Sequence, residues 1–186
     1  IAIGGDAQAY WVGEMGWLVR LLGDAYLRNY VPMLMAQPGD WDYEQARNGD
    51  YQYRPDDLYS DMLVVVNRER EFAAMRGGEL DFRAPKFRRL YERLGELAQY
   101  FQPGYMGADA RSATQLFYTQ KAAMCLMHSG SITGIVHDFA KMKPEERFEF
   151  ANFWFPPITD DPLVEGPFRG VGGGGMVLAV MQKNDP

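Results

Sequence analysis

The chain has 186 residues, of which 47% are hydrophobic, so it can bury a core as one domain or as two small ones. Its formal net charge of −6 and its lack of a dense Lys/Arg run argue against a nucleic-acid reader, which needs a basic face. The single cysteine, Cys125, leaves no internal disulfide, and no apolar run approaches the ~18 residues of a membrane-spanning helix.

The chain begins with a predicted strand and turn, which helices follow. Residues 1–5, IAIGG, read as a strand that runs into a turn. Three segments carry apolar side chains at helical spacing and are predicted helices: residues 9–22, 25–35 and 58–75. The polar stretch before the third is rich in turn residues and is predicted to be a long loop. It carries aromatic residues that form either a binding lip or local packing: Trp41, Tyr43, Tyr51 and Tyr53.

The second half is predicted to alternate helices with buried strands. Its predicted helices are residues 85–101, 109–119 and 132–141. The first of these begins at Pro85, a residue suited to the first helical position. The predicted strands are the apolar stretches 122–127, 148–155 and 176–180. Because helices and buried strands alternate, the pattern favours the α/β class.

A run of glycines near the end of the chain has the letters of a nucleotide-binding loop. Gly170, Gly172 and Gly175 fit G-x-G-x-x-G, but such a loop must follow a strand and begin a helix. Here the glycines follow the loop EGPFR and lead into the predicted strand MVLAV. Glycine also allows another group to approach bare backbone closely. The run is therefore interpreted as a side-chain-free floor for another domain or a planar ligand.

Four blocks of the second half occur in an order typical of one protein family. They are FRRLYERLGELAQYFQPGY, ATQLFYTQKAAMCLMHSGS, FANFWFPPI and PFRGVGGGGMVLAV. With the opening IAIGGDAQAYWVGEMGWLVRLL, they resemble the bacterial extracellular solute-binding proteins of ABC importers, of the maltose-binding-protein-like sugar-binding type (family 1). The resemblance covers most of the chain outside residues 37–59. Two positions depart from it: Gln120 replaces a glycine, and Ile132 replaces an aromatic residue that often ends a G-S-W turn.

The resemblance implies a periplasmic-binding-protein-like α/β lobe. Such a lobe is helix-rich, with short buried strands and with strands that cross between two lobes. Residues 1–186 are then expected to be a partial solute-binding protein, mainly the C-terminal lobe plus the crossing segments, with the N-terminal lobe largely absent. The start of the chain inside a predicted strand fits the same expectation, that the sequence is a piece of a longer polypeptide.

The function implied by the resemblance is that of a non-enzymatic receptor. Such a protein binds a carbohydrate in the cleft between its lobes and delivers it to the membrane permease of an ABC transporter. The expected partners are therefore a small-molecule carbohydrate and that permease, without nucleic acid, and no cofactor is expected. The expected location is periplasmic or extracellular, either free or lipid-anchored.

The candidate ligand-binding residues supply the flat aromatic faces and fixed polar groups that a sugar site needs. They are Asp6, Trp11, Gly130, Ser131, Arg169, Gly172, Gly173 and Gly174. The Asp6 carboxylate can accept hydrogen bonds from hydroxyls, and Arg169 can donate a pair of bonds to vicinal hydroxyls. Trp11, and Gly130 with Ser131, match places where the resembled family puts an aromatic residue and a turn at a strand end.

Each candidate also has a purely structural interpretation. Asp6 can cap the helix that follows it, and Trp11 can face the core. Gly130 with Ser131 can form an ordinary turn, and Arg169 can form a salt bridge between lobes.

The alternative function is that of a carbohydrate-active enzyme such as a glycoside hydrolase. That chemistry needs two carboxylates about 5–9.5 Å apart across the scissile bond. Acidic residues are plentiful in the chain, but their spacing shows no convergent pair. His128 and His137 have no Cys or carboxylate at ligand spacing, so no metal site is expected.

Overall fold

The computed structural model describes residues 1–6, 14–44, 54, 64–127, 130–153, 155–166 and 168. Six α-helices lie in these ranges: α1 (Glu14–Leu27), α2 (Val31–Leu34), α3 (Arg68–Gly77), α4 (Pro85–Ala98), α5 (Ala110–Tyr118) and α6 (Ser131–Lys141). Three short 3₁₀ helices accompany them: Arg28–Tyr30, Tyr105–Gly107 and Pro144–Glu146. Helices thus account for about half of the described residues.

The prediction of an α/β lobe is wrong, because the described residues form no strand and no sheet. The apolar run 122–127 pairs through a single isolated parallel bridge, between Ala2 and Cys125. An isolated antiparallel bridge joins Met35 to Val66. A strand needs a neighbour that runs beside it for several residues, and apolar patterning alone does not supply one.

The described residues therefore form a helical assembly. They do not form the predicted periplasmic-binding-protein-like lobe with short buried strands and crossing strands. Within the predicted strand 148–155, the described residues belong to no strand. The predicted strand 176–180 lies outside the described residues. The predicted arrangement of residues 1–186 as mainly one lobe of a larger protein stays a prediction.

Helices α1 and α4 pack against each other and bury the main core. The apolar side chains of α4 recur at helical spacing after Pro85, so one face of the helix can be buried. The buried residues of this core are Ile3, Met15, Leu18, Leu22, Ala25, Tyr26 and Leu90. A smaller cluster joins α3 to the start of α4 and contains Ala74, Leu80 and Phe87.

Residues 155–166, called here the 155–166 segment, cover the core formed by α1 and α4. Phe155, Ile158, Leu163 and Val164 of this segment pack against that core. The backbone N–H of Glu165 donates to the carbonyl of Ala25 in α1 at 2.8 Å. The segment therefore belongs to the same packed unit as the two helices, although it has neither helix nor strand.

An aromatic cluster links α5, α6 and the chain that follows α6. The ring of Phe139 in α6 lies edge-on to Tyr118 of α5, with centroids 5.6 Å apart, and to Phe148, with centroids 4.8 Å apart. Phe117 of α5 also meets Phe148 edge-on, at 5.3 Å. These contacts fix the direction of α6 and therefore the place of its first turn.

Candidate functional site

Residues 1–6 run through the interior of the molecule, where Ala2 and Ile3 are fully buried. The Ala2 N–H donates to the Met124 carbonyl at 2.8 Å, and the Ala2 carbonyl accepts from the Leu126 N–H at 2.9 Å. These two bonds form the parallel bridge between Ala2 and Cys125. In a parallel pair both chains run in the same direction. Ile3 and Leu126 therefore follow the bridge in the same direction.

We use the name junction for the described residues at and after the bridge on both chain segments. These are residues 2–6, 125–127 and 130–133. The junction contains three of the eight predicted ligand-binding residues: Asp6, Gly130 and Ser131. Asp6 and Ser131 are half-buried, and Gly130 is exposed.

The turn that carries Asp6 is held against the loop before α5. The N–H groups of Gly5 and Asp6 both donate to the Ala108 carbonyl, at 2.9 and 3.2 Å. A Cβ placed on Gly5 would lie 2.5 Å from the carbonyl oxygen of Tyr105, closer than such contacts occur. Glycine is therefore required at position 5, because the backbone of Tyr105 leaves no room for a side chain there.

Helix α6 begins at the junction without a side-chain cap. Its N-cap residue is Gly130, whose backbone is right-handed (φ −62°) and which offers no side chain to the first turn. The N–H groups of a first helical turn point out of the helix end and bind oxygen acceptors. Ligand hydroxyl or carbonyl oxygens are acceptors of this kind, so the start of α6 and the Asp6 carboxylate have the donor and acceptor chemistry of a sugar site.

The other predicted ligand-binding residues lie outside the described residues. These are Trp11, Arg169, Gly172, Gly173 and Gly174. Their proposed contacts with a sugar stay predictions.

Part of the predicted aromatic lip is described. Trp41 is 72% exposed, and Tyr43 is half-buried two residues later. The loop beneath them is tied to α3, because both Nε and Nη2 of Arg70 donate to the Asp40 carboxylate, at 2.6 and 3.0 Å. Tyr51 and Tyr53 lie outside the described part of the chain. The exposed ring of Trp41 is therefore held near α3.

A cluster of ion pairs between α4 and the 155–166 segment was not predicted. Arg89 donates from Nε to the Asp161 carboxylate at 2.6 Å, and Arg93 donates from Nη2 to Asp160 at 2.8 Å. Lys86 pairs with Glu165 one turn earlier. The three cations recur at intervals of three and four residues, so they share one face of α4. That spacing indicates from the sequence that the cations share a face. It does not indicate their partners, which lie about seventy residues away in sequence.

Asp161 is the most enclosed acid of this cluster, with a side chain only 4% exposed. Burial alone would raise its pKa, but the bonds from Arg89, the Leu163 N–H and the Tyr26 hydroxyl outweigh burial and hold the pKa below its usual range. Burial, together with the neighbouring Asp161, raises the pKa of Tyr26. This cluster keeps its carboxylate ionised, so it acts as an electrostatic clamp between α4 and the segment.

A groove of about 480 Å³ lies beside this cluster. Apolar walls come from Leu97, Phe155, Pro156 and Pro157, among others. The charged groups at its rim are already engaged with one another, since Arg93 donates to both Glu96 and Asp160. The buried Nε of Arg93 has no partner among the described residues, so the groove combines apolar walls with one unsatisfied polar group.

No group of His, Cys, Asp and Glu that could hold a metal ion occurs among the described residues. His137 is exposed on α6, and His128 is not described. None of the helices described is long and apolar enough to span a bilayer. No family model, no curated protein and no solved structure matches the chain.

Proposed function

We propose that this chain is the carbohydrate-binding component of an ABC importer, which carries its sugar to a membrane permease and does not transform it. The proposed location is outside the cytoplasmic membrane, in the periplasm or at the cell surface. The order of the four sequence blocks and the opening segment motivates this function. The observation that supports it is the parallel bridge that pairs Ala2 of the opening segment with Cys125 of the second block.

The chemistry of the junction suits a polyhydroxylated ligand. Sugar hydroxyls both donate and accept hydrogen bonds, so a site for them needs acceptors and donors side by side. The proposal assigns the acceptor role to the Asp6 carboxylate and the donor role to the backbone N–H groups at the start of α6, whose N-cap residue Gly130 has no side chain. Both come from segments fixed by backbone hydrogen bonds or helix packing, so little ordering is required when a ligand binds.

Among the described residues, the acids whose pKa is shifted suit structural roles rather than that of a general acid. A hydrolase needs a general acid whose pKa is raised so that it carries a proton near neutral pH. The carboxyls whose pKa departs from the usual range are all lowered: Asp40, Asp81, Glu96, Asp109 and Asp161. Each is held ionised by hydrogen bonds that include its own cationic partner or a helix N–H, which suits structural acids.

The proposal is tested by titrating the chain with a panel of mono- and oligosaccharides in a calorimeter. We expect saturable heat with at least one sugar and a loss of about tenfold or more in affinity for Asp6→Asn, because a bond to a charged group is removed. The control is Asp160→Asn, which removes the same charge from a carboxylate whose side chain is 73% exposed.

Equal weakening by both variants would contradict the placement of the site at Asp6. An assay for newly released reducing ends, run on the same oligosaccharides, separates the two functions. Binding without turnover supports the receptor, and turnover would favour the hydrolase.

A further inference from the structure

Gln102 makes an unusual set of contacts with the segment that leads to Asp6. Its side-chain Oε1 accepts from the Ile3 N–H at 2.9 Å, and its Nε2 donates to the Ile3 carbonyl at 2.7 Å. Its backbone N–H donates to the Ile1 carbonyl at 3.0 Å. One residue thus satisfies both backbone groups of a fully buried neighbour.

The side-chain amide of Gln102 takes the place of a neighbouring strand. Backbone groups of an extended segment point alternately to its two sides. Those of Ala2 face Met124 and Leu126, and those of Ile3 face the opposite side, where Gln102 lies. An amide can donate and accept at once, as a peptide group does. Buried backbone groups that lose their partners are costly, so this pairing fixes the path of residues 3–6.

We propose that Gln102 is a positioning residue for the carbohydrate site, acting through Ile3 on the turn that carries Asp6. The inference rests on the proposed function, because it assigns Gln102 a part in sugar binding. Gln102 itself needs no contact with the ligand. Its part is to fix the path of residues 3–6, so that Asp6 keeps its place.

The chemistry of glutamate gives a reversible test of this role. In Gln102→Glu the ionised carboxylate still accepts from the Ile3 N–H, but it has no proton to donate to the Ile3 carbonyl. Burial beside a carbonyl raises the pKa of such a carboxyl above the ordinary value of about 4.3, so protonation near pH 5 restores the missing donor. The variant therefore switches one hydrogen bond without a change of shape.

The experiment compares sugar affinity by calorimetry for the unaltered chain, Gln102→Glu and Gln99→Glu, at neutral pH and at about pH 5. Gln99→Glu adds the same charge at an exposed position three residues earlier. We expect Gln102→Glu to bind about tenfold more weakly at neutral pH and to recover at the lower pH. The unaltered chain and Gln99→Glu should show no such recovery, which controls for any effect of pH on the rest of the site.

Affinity separates positioning from general stability. A less stable chain that stays almost fully folded keeps its dissociation constant, because reversible unfolding weakens binding only in proportion to the folded fraction. The folded fraction is therefore measured for each variant, and a misplaced turn changes the constant beyond that correction. Gln102→Met, which keeps the length but lacks both polar groups, should bind weakly at both pH values. Unchanged affinity in Gln102→Glu and Gln102→Met would overturn the proposal.

Hydrogen exchange of the Ile3 amide distinguishes failure of this inference from failure of the proposed function. If no sugar binds any of the proteins, the carbohydrate proposal fails. The positioning role is then judged by exchange alone, through a loss of protection in Gln102→Glu at neutral pH that recovers near pH 5. Protection that does not change with pH would overturn the role of Gln102.

Discussion

At the scale of single residues, Gly5 is fixed by close approach to the Tyr105 carbonyl. We expect Gly5→Ala to lower the free energy of unfolding by about 1–3 kcal/mol, because the new methyl group overlaps a backbone oxygen that cannot move as a side chain can. Urea denaturation measures this change. The matched control is Gly95→Ala in the interior of α4, where nothing lies within 4 Å of the added atom.

The control should change stability in the opposite direction. Alanine is the better helix former, so Gly95→Ala is expected to stabilise the chain by up to about 1 kcal/mol. Equal stability of the two variants would show that the backbone around Gly5 is not as close as described.

Contacts between residues far apart in the sequence could not be predicted from local patterns. Asp6, Gly130 and Ser131 stay predicted ligand-binding residues, and the structure joins the segments that lead to them through the bridge between Ala2 and Cys125. The need for glycine at position 5 depends on Tyr105, a hundred residues later, and no local pattern reports such a contact. The pairing of Gln102 with Ile3 was missed for the same reason.

At the scale of elements, the clamp between α4 and the 155–166 segment depends on Asp161 more than on Asp160. Asp161→Asn leaves Arg89 without its buried counter-charge, and we expect a loss of about 2–3 kcal/mol in the free energy of unfolding. Asp160→Asn removes an exposed partner of Arg93 and should cost less than about 1 kcal/mol. Chemical denaturation of both variants gives the comparison, and similar losses would contradict the clamp.

The helices of the second half could be predicted closely from the sequence, those of the first half only in part, because one helix runs through Gly23 and another begins only at Arg68, and the predicted strands were wrong where they are described. The apolar spacing of α4 to α6 is local information, and the predicted bounds lie within a few residues of those observed. The segments 122–127 and 148–155 have strand composition, but a strand forms only where another chain segment runs alongside. The segment 122–127 pairs with Ala2 alone, and Phe148 of the segment 148–155 packs in the aromatic cluster around Phe139.

At the scale of the whole molecule, stability should depend on pH through the acids whose pKa is lowered. A lowered pKa in the folded state means that the unfolded chain binds protons more readily. The stabilising effect is therefore complete above the unfolded pKa of about 4 and is lost as the pH falls through the lower folded values. We expect thermal stability to fall below about pH 4, with a shallower fall in Asp161→Asn.

The alkaline side should show a separate loss. Burial, with the neighbouring Asp138, raises the pKa of Tyr118 to about 12. Because the folded state keeps this proton more tightly than the unfolded chain, stability should fall as the pH rises from about 10. A flat profile across both ranges, measured by thermal melts, would contradict these assignments.

The central claim is that a sugar binds at the junction, and NMR titration of the ¹⁵N-labelled chain tests it most directly. With a sugar that gives saturable binding, amide shifts are expected to concentrate at residues 4–6 and 130–133, with little change in α3 or in the 155–166 segment. Saturable shifts that instead cluster around Tyr100 and Pro157, in the groove beside α4, would contradict the claim.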